Sequence, residues 1–197
     1  MKPLEWEKLY RETDAGDMPW YYPALDPDLE GALTRLNIKD GRALDIGTGP
    51  GTQALALAER GFTVTATDIS EAAIELCKAA ALKEGLSVDF IRDDILKSRL
   101  KPGFDIIFDR GCFHSLAPES RPLYVRHVHS LLAPKGVLFL KCFSIKETME
   151  GGPYRFTPEG VREYFSSEFN IISIVETLYQ GTLNPLPKAL FAVMRAL

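Results

Sequence analysis

Short apolar runs alternate with longer segments of helical periodicity through most of this chain. The first apolar run spans residues 42–46, and residues 52–60 after it carry apolar side chains three and four positions apart. The alternation continues with apolar runs at 62–67, 87–91, 104–108 and 137–143 and helical segments at 71–84 and 118–132. Strands and helices that alternate in this way form a parallel sheet covered by helices. The pattern therefore predicts an α/β fold.

The two ends of the chain have a different pattern. At the amino end, residues 4–12 and 27–36 predict helices, and the loop between them contains the aromatic run Trp20-Tyr21-Tyr22. At the carboxyl end, two strands at 169–177 and 189–195 follow each other with no helix between them. We therefore expect a helical amino-terminal segment before the α/β sheet and two consecutive strands at its end.

A glycine-rich turn joins the first strand to the helix that follows it. Three glycines, Gly47, Gly49 and Gly51, are spaced two apart directly after the strand at 42–46. Glycine allows positive φ and lets a ligand approach the main chain closely. The helix beyond the turn presents unpaired N–H groups to an acceptor. Strand, turn and helix together indicate a nucleotide-type site at the carboxyl end of a parallel strand.

Acidic residues end four successive strands: Asp45, Asp68, Asp94 and Asp109. A row of carboxylates at one edge of a sheet repels a pyrophosphate, which is the main anchor of NAD or FAD. It suits a ligand that carries positive charge and hydroxyl groups, as S-adenosylmethionine does. Asp45 is the most informative acid because it precedes Gly47 by two residues, where a phosphate binder gains nothing from negative charge. The pattern favours S-adenosylmethionine over a dinucleotide.

Three motifs strengthen this interpretation through a resemblance. The segments 44–51, 66–70 and 131–138 resemble successive motifs of the class I S-adenosylmethionine-dependent methyltransferases, in order and with the usual spacing. The resemblance covers about residues 40 to 145. It implies a Rossmann-like domain with a mostly parallel seven-stranded sheet flanked by helices. It also implies that the last strands form an antiparallel edge.

The resemblance also implies which residues hold the cofactor. Asp68 is expected at the ribose hydroxyls, the glycine loop at the methionine part with Asp45 near its ammonium, and Asp94 rather than Asp93 at the adenine. The full expected set is Asp45, Gly47, Thr48, Gly49, Gly51, Asp68, Ile69, Asp94, Ile95 and Asp109. The product of transfer would be S-adenosylhomocysteine.

The expected acceptor site combines the amino-terminal segment with the residues after the fourth strand. Trp6, Tyr10 and Trp20 are similar in arrangement to the lid of thiopurine, thiol and tellurite-detoxifying methyltransferases, and 109–111 resembles the thiopurine enzymes. We expect Asp109 and Arg110 to orient the acceptor and His114 to remove a proton from a less acidic one. Catalytic candidates are thus Asp109, Arg110 and His114, and substrate candidates are Tyr10, Trp20, Tyr21, Arg110 and His114. Cys112 has no adjacent base that would make it a nucleophile.

Composition limits the domain organisation, the binding partners and the cellular location that we expect for this chain. Its 197 residues suggest a single methyltransferase domain, 1–197, with a lid and helix at 1–40 and a catalytic core at 41–197. A net charge of −4 argues against a primary nucleic-acid binder. Three cysteines without a paired framework suit the reducing cytoplasm, and no apolar run approaches a membrane span. The histidines lack a metal spacing, so we expect no metal, and we expect a monomer or weak homodimer.

Three function classes remain open at this point. The favoured one is a methyltransferase for a small-molecule acceptor, with a thiol or anionic chalcogen as a candidate. The alternatives are a protein or nucleic-acid methyltransferase and a non-catalytic S-adenosylmethionine-binding protein. No Asn-Pro-Pro-Tyr-type tetrapeptide follows the fourth strand, and the intact acids and glycine loop argue against a lost activity.

Overall fold

One eight-stranded sheet forms the centre of the computed structural model, which describes residues 2–197. Its strands are β1 (Arg42–Ile46), β2 (Thr63–Asp68), β3 (Asp89–Arg92), β4 (Phe104–Arg110), β5 (Leu132–Ser144), β6 (Arg155–Phe156), β7 (Phe169–Leu178) and β8 (Lys188–Ala196). The order across the sheet is β3-β2-β1-β4-β5-β8-β7, and β6 pairs with β5 outside this row. The first six strands pair in parallel, whereas β8 is antiparallel to both β5 and β7.

Six α-helices accompany this sheet in the described residues. They are α1 (Pro3–Glu12), α2 (Pro27–Arg35), α3 (Thr52–Glu59), α4 (Glu71–Glu84), α5 (Arg121–Leu131) and α6 (Pro158–Phe165). Local chemistry sets their starts: Asp26, Ser70 and Thr157 each accept a hydrogen bond from a backbone N–H of the first turn that follows. Among the described residues, no helix has both the length and the apolar character that crossing a membrane requires.

The alternation of side chains along β1 divides the core into two layers. Ala43 packs with buried residues of α2, α3 and α4, whereas Leu44 and Ile46 pack with those of α5 and α6. Because side chains alternate in a strand, Asp45 lies on the same face as Ala43. Lys141 of β5 is on this face too, and it points to the start of α2.

The strand order reverses its direction between β1 and β4. In a doubly wound sheet, ligands bind outside the carboxyl ends of the strands at such a point, because the two flanking connections leave in opposite directions. The glycine turn after β1 and residues 109–114 after β4 therefore lie at the place where a site is expected.

The predicted α/β class with an antiparallel edge is confirmed. The sheet has eight strands instead of seven because the two-residue β6 pairs with the end of β5. β5 also begins earlier than its apolar run suggests, at Leu132.

Candidate functional site

The three glycines after β1 all have positive φ: 65° at Gly47, 53° at Gly49 and 79° at Gly51. A Cβ added to Gly49 would lie 2.8 Å from the Tyr10 hydroxyl, and one added to Gly51 would lie 2.7 Å from the Cys77 sulfur. Both backbone conformation and space therefore require glycine here. At these glycines, the turn presents only main-chain atoms to the space between α1 and α4.

Asp45 lies beneath this turn with no basic partner among the described residues. Its carboxylate is buried and accepts a hydrogen bond from the Thr48 hydroxyl at 2.6 Å. Burial raises the pKa of Asp45 to about 7, and the nearby Asp109 carboxylate raises it further against the effect of the Thr48 bond. Such a carboxylate gains stability when a cation binds beside it.

Asp68 closes the far side of the same turn. One of its oxygens accepts the Gly49 N–H at 3.0 Å and the other accepts the Ser70 N–H at 2.9 Å. Each carboxylate oxygen has a further lone pair, so Asp68 can still accept bonds from ligand hydroxyls. Burial raises the pKa of Asp68, and these backbone bonds partly offset that effect.

An open cleft of about 650 Å³ follows at the carboxyl ends of β2 and β3. Ile69, Asp93 and Asp94 line it, and the Oδ1 atom of Asp94 accepts the Leu96 N–H at 3.0 Å. Both acids are half-buried, and Oδ2 of Asp93 is buried without a partner among the described residues. Ile95 is buried beside them.

Asp109 has a different environment from the one expected of a catalytic carboxylate. It is completely buried and accepts N–H bonds from Gly111, Cys112 and Phe113 and an O–H bond from Tyr124. With four donors, its lone pairs are largely occupied. Asp109 therefore fixes the turn after β4, and burial raises its pKa to about 6.

Arg110 also departs from the expectation that it faces the acceptor. Its side chain is 6% exposed, and its Nε donates to Asp26 at 3.0 Å. The two terminal nitrogens donate to the backbone carbonyls of Trp20 and Gln180, and the guanidinium lies 4.5 Å from the Tyr179 ring centroid. Arg110 thus links the amino-terminal segment to the β7–β8 connection. The ion pair with the buried Asp26 carboxylate holds its guanidinium in this position.

A second buried cation completes this ion-pair network, and the sequence interpretation missed it. Lys141 is fully buried, and its ammonium lies 2.8 and 2.7 Å from the two oxygens of Asp26 and 2.7 Å from Asp28. The sequence contains a signal for this network, because Lys141 is the one charged residue in the apolar run 137–143. A charge in that position requires a buried partner.

The aromatic residues of the amino-terminal segment cover the glycine turn. Trp6 stacks on Tyr10 at 6.2 Å, and Trp20 contacts both rings edge-on at 5.8 and 6.4 Å. Tyr21 packs against the same cluster. Glu7 of α1 accepts hydrogen bonds from the Ser70 hydroxyl and the Ala72 N–H, which fixes α1 on the start of α4. Of the expected substrate residues, Tyr10 and Trp20 thus lie directly over Gly49.

A second aromatic cluster lies beside the first and contains His114. We call it the acceptor cluster; it consists of Trp20, His114, Phe143, Met149 and Tyr179. The His114 ring stacks on Tyr179 at 5.8 Å and meets Phe143 edge-on at 5.0 Å. Its Nδ1 accepts the backbone N–H of Phe143 at 3.1 Å. Burial, together with the charge of Arg110, lowers the pKa of His114 to about 3.

Comparison with known proteins agrees with this geometry. A family model of the methyltransferase domain matches residues 43–136. A solved chain from work on the conversion of a disulfide bond into a thioacetal group during echinomycin biosynthesis superposes with a TM-score of 0.84 at 24% identity, covering 98% of this chain and 90% of that one. The fold and the switch-point turn define a class I S-adenosylmethionine-dependent methyltransferase.

Two plant proteins give a closer relationship. The chain is 32% identical to a probable thiol methyltransferase 2 of Arabidopsis thaliana over 177 residues, 87% of this chain and 76% of that protein. It is 30% identical to thiocyanate methyltransferase 1 of Brassica oleracea over 88% of this chain and 77% of that protein. The chain belongs to the methyltransferase family that includes these two proteins, and its methyl donor is S-adenosylmethionine.

The residues of the site fit this cofactor. Gly49 and Gly51 leave a surface that a side chain would fill, Asp45 is a buried carboxylate without an ion-pair partner among the described residues, and each oxygen of Asp68 can accept a further hydrogen bond. A ligand with an ammonium and a diol satisfies these groups. No group of three or more His, Cys, Asp or Glu within residues 2–197 is arranged to hold a metal ion.

Proposed function

We propose that this enzyme methylates a small sulfur nucleophile, either a thiol or a thiocyanate-like anion. The observation that carries the proposal is the similarity to the thiol and thiocyanate methyltransferases. It spans 87–88% of the chain and so extends well beyond residues 43–136, which the family model matches. The acceptor cluster supports it, because aromatic rings and a methionine sulfur suit a small, polarisable acceptor.

S-adenosylmethionine supplies an electrophilic methyl group, so a good nucleophile needs position more than acid–base help. In this proposal Asp45, Thr48 and the glycine turn (47, 49 and 51) hold the methionine part, and Asp68 and Ile69 hold the ribose. Asp94 and Ile95 lie at the adenine. Asp109 acts by fixing the turn after β4, and Arg110 acts by holding the lid in place.

The lid is the segment of residues 2–25, which includes Tyr10, Trp20 and Tyr21. Its two ends are anchored differently: α1 docks on α4 through Glu7, and the loop is held by Arg110 and by Thr182, whose N–H donates to the Pro19 carbonyl at 3.1 Å. Residues 14–17 between these anchors are mostly exposed. We propose that the lid opens at this loop to admit the acceptor and excludes water when closed.

An acceptor screen with labelled S-adenosylmethionine tests the function. The acceptors are an alkyl thiol, thiocyanate, selenite, tellurite, a catechol and an amine. Asp68→Ala serves as the matched control for non-enzymatic methylation, because it should lose two charge-assisted bonds to the ribose, about 1.5–3 kcal/mol each. Transfer to thiol or thiocyanate well above that control supports the proposal.

Other outcomes of the screen would contradict it. Transfer to oxygen or nitrogen acceptors alone would exclude a sulfur specificity, and transfer to protein or nucleic acid alone would favour the macromolecular alternative. Cofactor binding without transfer to any acceptor would indicate a non-catalytic binding protein. We also propose that the enzyme acts without nucleic acid, as a monomer or weak homodimer, in the cytoplasm, where its three free thiols stay reduced.

A further inference from the structure

The hydrogen bonds of His114 fix which of its ring nitrogens carries the proton. A backbone N–H can only donate, so the bond from Phe143 at 3.1 Å requires an unprotonated Nδ1. The ring is neutral at physiological pH because burial and Arg110 lower its pKa to about 3. The proton of the neutral ring is therefore on Nε2.

The Nε2–H group makes no hydrogen bond with any of the described residues. Nε2 is not one of the described side-chain nitrogen and oxygen atoms that are buried without a hydrogen-bond partner. Part of its surface therefore remains accessible to solvent. Gly111 keeps this space open: its φ is 108°, and an added Cβ would lie 2.9 Å from Nε2 and 2.6 Å from the Tyr179 hydroxyl. A donor with a fixed direction thus lies beside Gly111 and the Tyr179 hydroxyl, within the acceptor cluster.

The charged and titratable groups around His114 provide no base. From β4, Arg110 is a permanent cation and the Asp109 carboxylate is occupied by four donors. From the segment after β7, the Tyr179 hydroxyl donates to the Arg110 carbonyl at 2.6 Å. Phe143 from β5 is apolar, and burial raises the pKa of the Cys112 thiol well above its ordinary value. These groups cannot take a proton from an acceptor near neutral pH.

We infer that His114 contacts the acceptor as a hydrogen-bond donor through Nε2–H, and that the site takes acceptors that arrive already as anions. This inference rests on the proposed function and narrows its substrate class to thiolates and to soft anions that have no proton to lose. In the transfer, the acceptor lone pair forms the new bond to the methyl carbon, and the electron pair of the broken C–S bond stays on the homocysteine sulfur. No proton moves to or from the protein.

Two isosteric substitutions separate a donor from a base and from a purely structural histidine. The amide oxygen of His114→Asn can replace Nδ1 and keep the Phe143 bond, but this variant has no donor at the Nε2 position. The amide nitrogen of His114→Gln can replace the Nε2 donor, but this variant loses the Phe143 bond. For thiocyanate, we expect kcat/KM to fall about ten- to a hundredfold in His114→Asn, the value of a hydrogen bond to an anion. His114→Gln should stay above His114→Asn.

A pH profile of the wild-type enzyme gives a second readout that needs no variant. The profile is measured at saturating S-adenosylmethionine, so that the pH dependence of cofactor binding through Asp45 does not enter. With an aromatic and an alkyl thiol, which ionise in different pH ranges, the midpoint of kcat/KM should follow the acceptor. Thiocyanate has no proton to lose, so its kcat/KM should not rise at the pH midpoint of either thiol.

Specific results would overturn the inference. A midpoint shared by both thiols would identify an enzyme base, and wild-type kcat/KM in His114→Asn would show that Nε2–H contacts no acceptor. Calorimetry with S-adenosylhomocysteine checks that both variants retain the cofactor site. If the wild-type enzyme methylates no sulfur acceptor, the proposed function itself fails; if it does and the variants rank in the opposite order, only the role of His114 fails.

Discussion

Asp45 shows how one residue can combine burial with recognition. A buried carboxylate with a single hydroxyl donor and no ion-pair partner among the described residues is costly to ionise, which its raised pKa of about 7 reflects. A bound ammonium would remove that cost. Burial therefore destabilises the charged form of Asp45 in the free enzyme, and the cofactor ammonium would stabilise that form in the complex.

Cofactor affinity should consequently depend on pH. Below pH 7, Asp45 of the free enzyme is increasingly protonated and must lose its proton to pair with the ammonium, so affinity should fall by up to about tenfold per pH unit. Above pH 7 the affinity should level off. Calorimetry with S-adenosylhomocysteine from about pH 5.5 to 7 measures this, since the ligand amine stays charged below about pH 7.7.

The variant Asp45→Asn provides the control for this prediction. It keeps an oxygen for the Thr48 hydroxyl but cannot titrate, so it should bind more weakly and with no slope over the same pH range. An unchanged slope in Asp45→Asn would assign the effect to another group.

At the scale of elements, the ion-pair network joins α2, β4 and β5. Two cations, Arg110 and Lys141, meet two carboxylates, Asp26 and Asp28, and Thr177 of β7 donates to Asp28 at 2.8 Å. Gln53 adds to the same corner: its side chain accepts the Asp26 N–H and donates to the Ala24 carbonyl. These contacts hold the lid loop against the carboxyl ends of the strands.

The variant Lys141→Met tests this network. Removing the ammonium leaves two carboxylates with one remaining cation at a buried position, so the free energy of unfolding should fall by about 3–5 kcal/mol. Urea denaturation measures the loss. Limited proteolysis should also cut faster near residues 14–17, because the lid loop loses part of its anchor.

Lys146→Met is the matched control, since Lys146 pairs with Glu176 at 3.1 Å on the surface and is 62% exposed. A surface pair of this kind contributes about 0–1 kcal/mol. Equal losses in the two variants would mean that the Lys141 network contributes no more than a surface pair.

Local patterns predicted most of the elements, and the reason is physical. The run 42–46, the glycines after it and the cap Ser70 act over a few residues, so periodicity and turn chemistry reveal them. Asp68 was expected at the same sheet edge as the glycine turn because strand ends in a parallel sheet meet at one edge, and its carboxylate accepts the Gly49 N–H. Asp26 caps a helix locally, but its carboxylate also binds Lys141 and Arg110 far along the chain. Pairing over such separations depends on the register of the whole sheet, which no local pattern contains.

At the scale of the whole molecule, the acids at the carboxyl ends of β1, β2 and β4 and the acid after β3 occupy one edge of the sheet. Each has a distinct local task, yet together they give this edge negative charge, with Asp45 and Asp68 flanking the glycine turn. The two buried cations of β4 and β5, Arg110 and Lys141, are already paired with Asp26. The edge thus favours a cationic ligand over a pyrophosphate.

Ligand selection follows from that distribution of charge. S-adenosylhomocysteine should bind, and NAD should show no heat of binding under the same conditions, because its pyrophosphate would meet unpaired carboxylates at the turn. Calorimetry with both ligands measures the difference. NAD binding without S-adenosylhomocysteine binding would contradict it.

The position of Lys141 limits where this protein can be divided. The residues before β1 look separable from the sheet, and a boundary near residue 40 agrees with the expected lid and core. However, Asp26 and Asp28 neutralise an ammonium in a strand at the middle of the sheet. A fragment that starts at residue 23 keeps both acids. A fragment that starts at residue 41 would have to fold around the unpaired, buried ammonium of Lys141. The smallest autonomous unit therefore includes α2, because Asp26 and Asp28 balance the charge that the central strands bury.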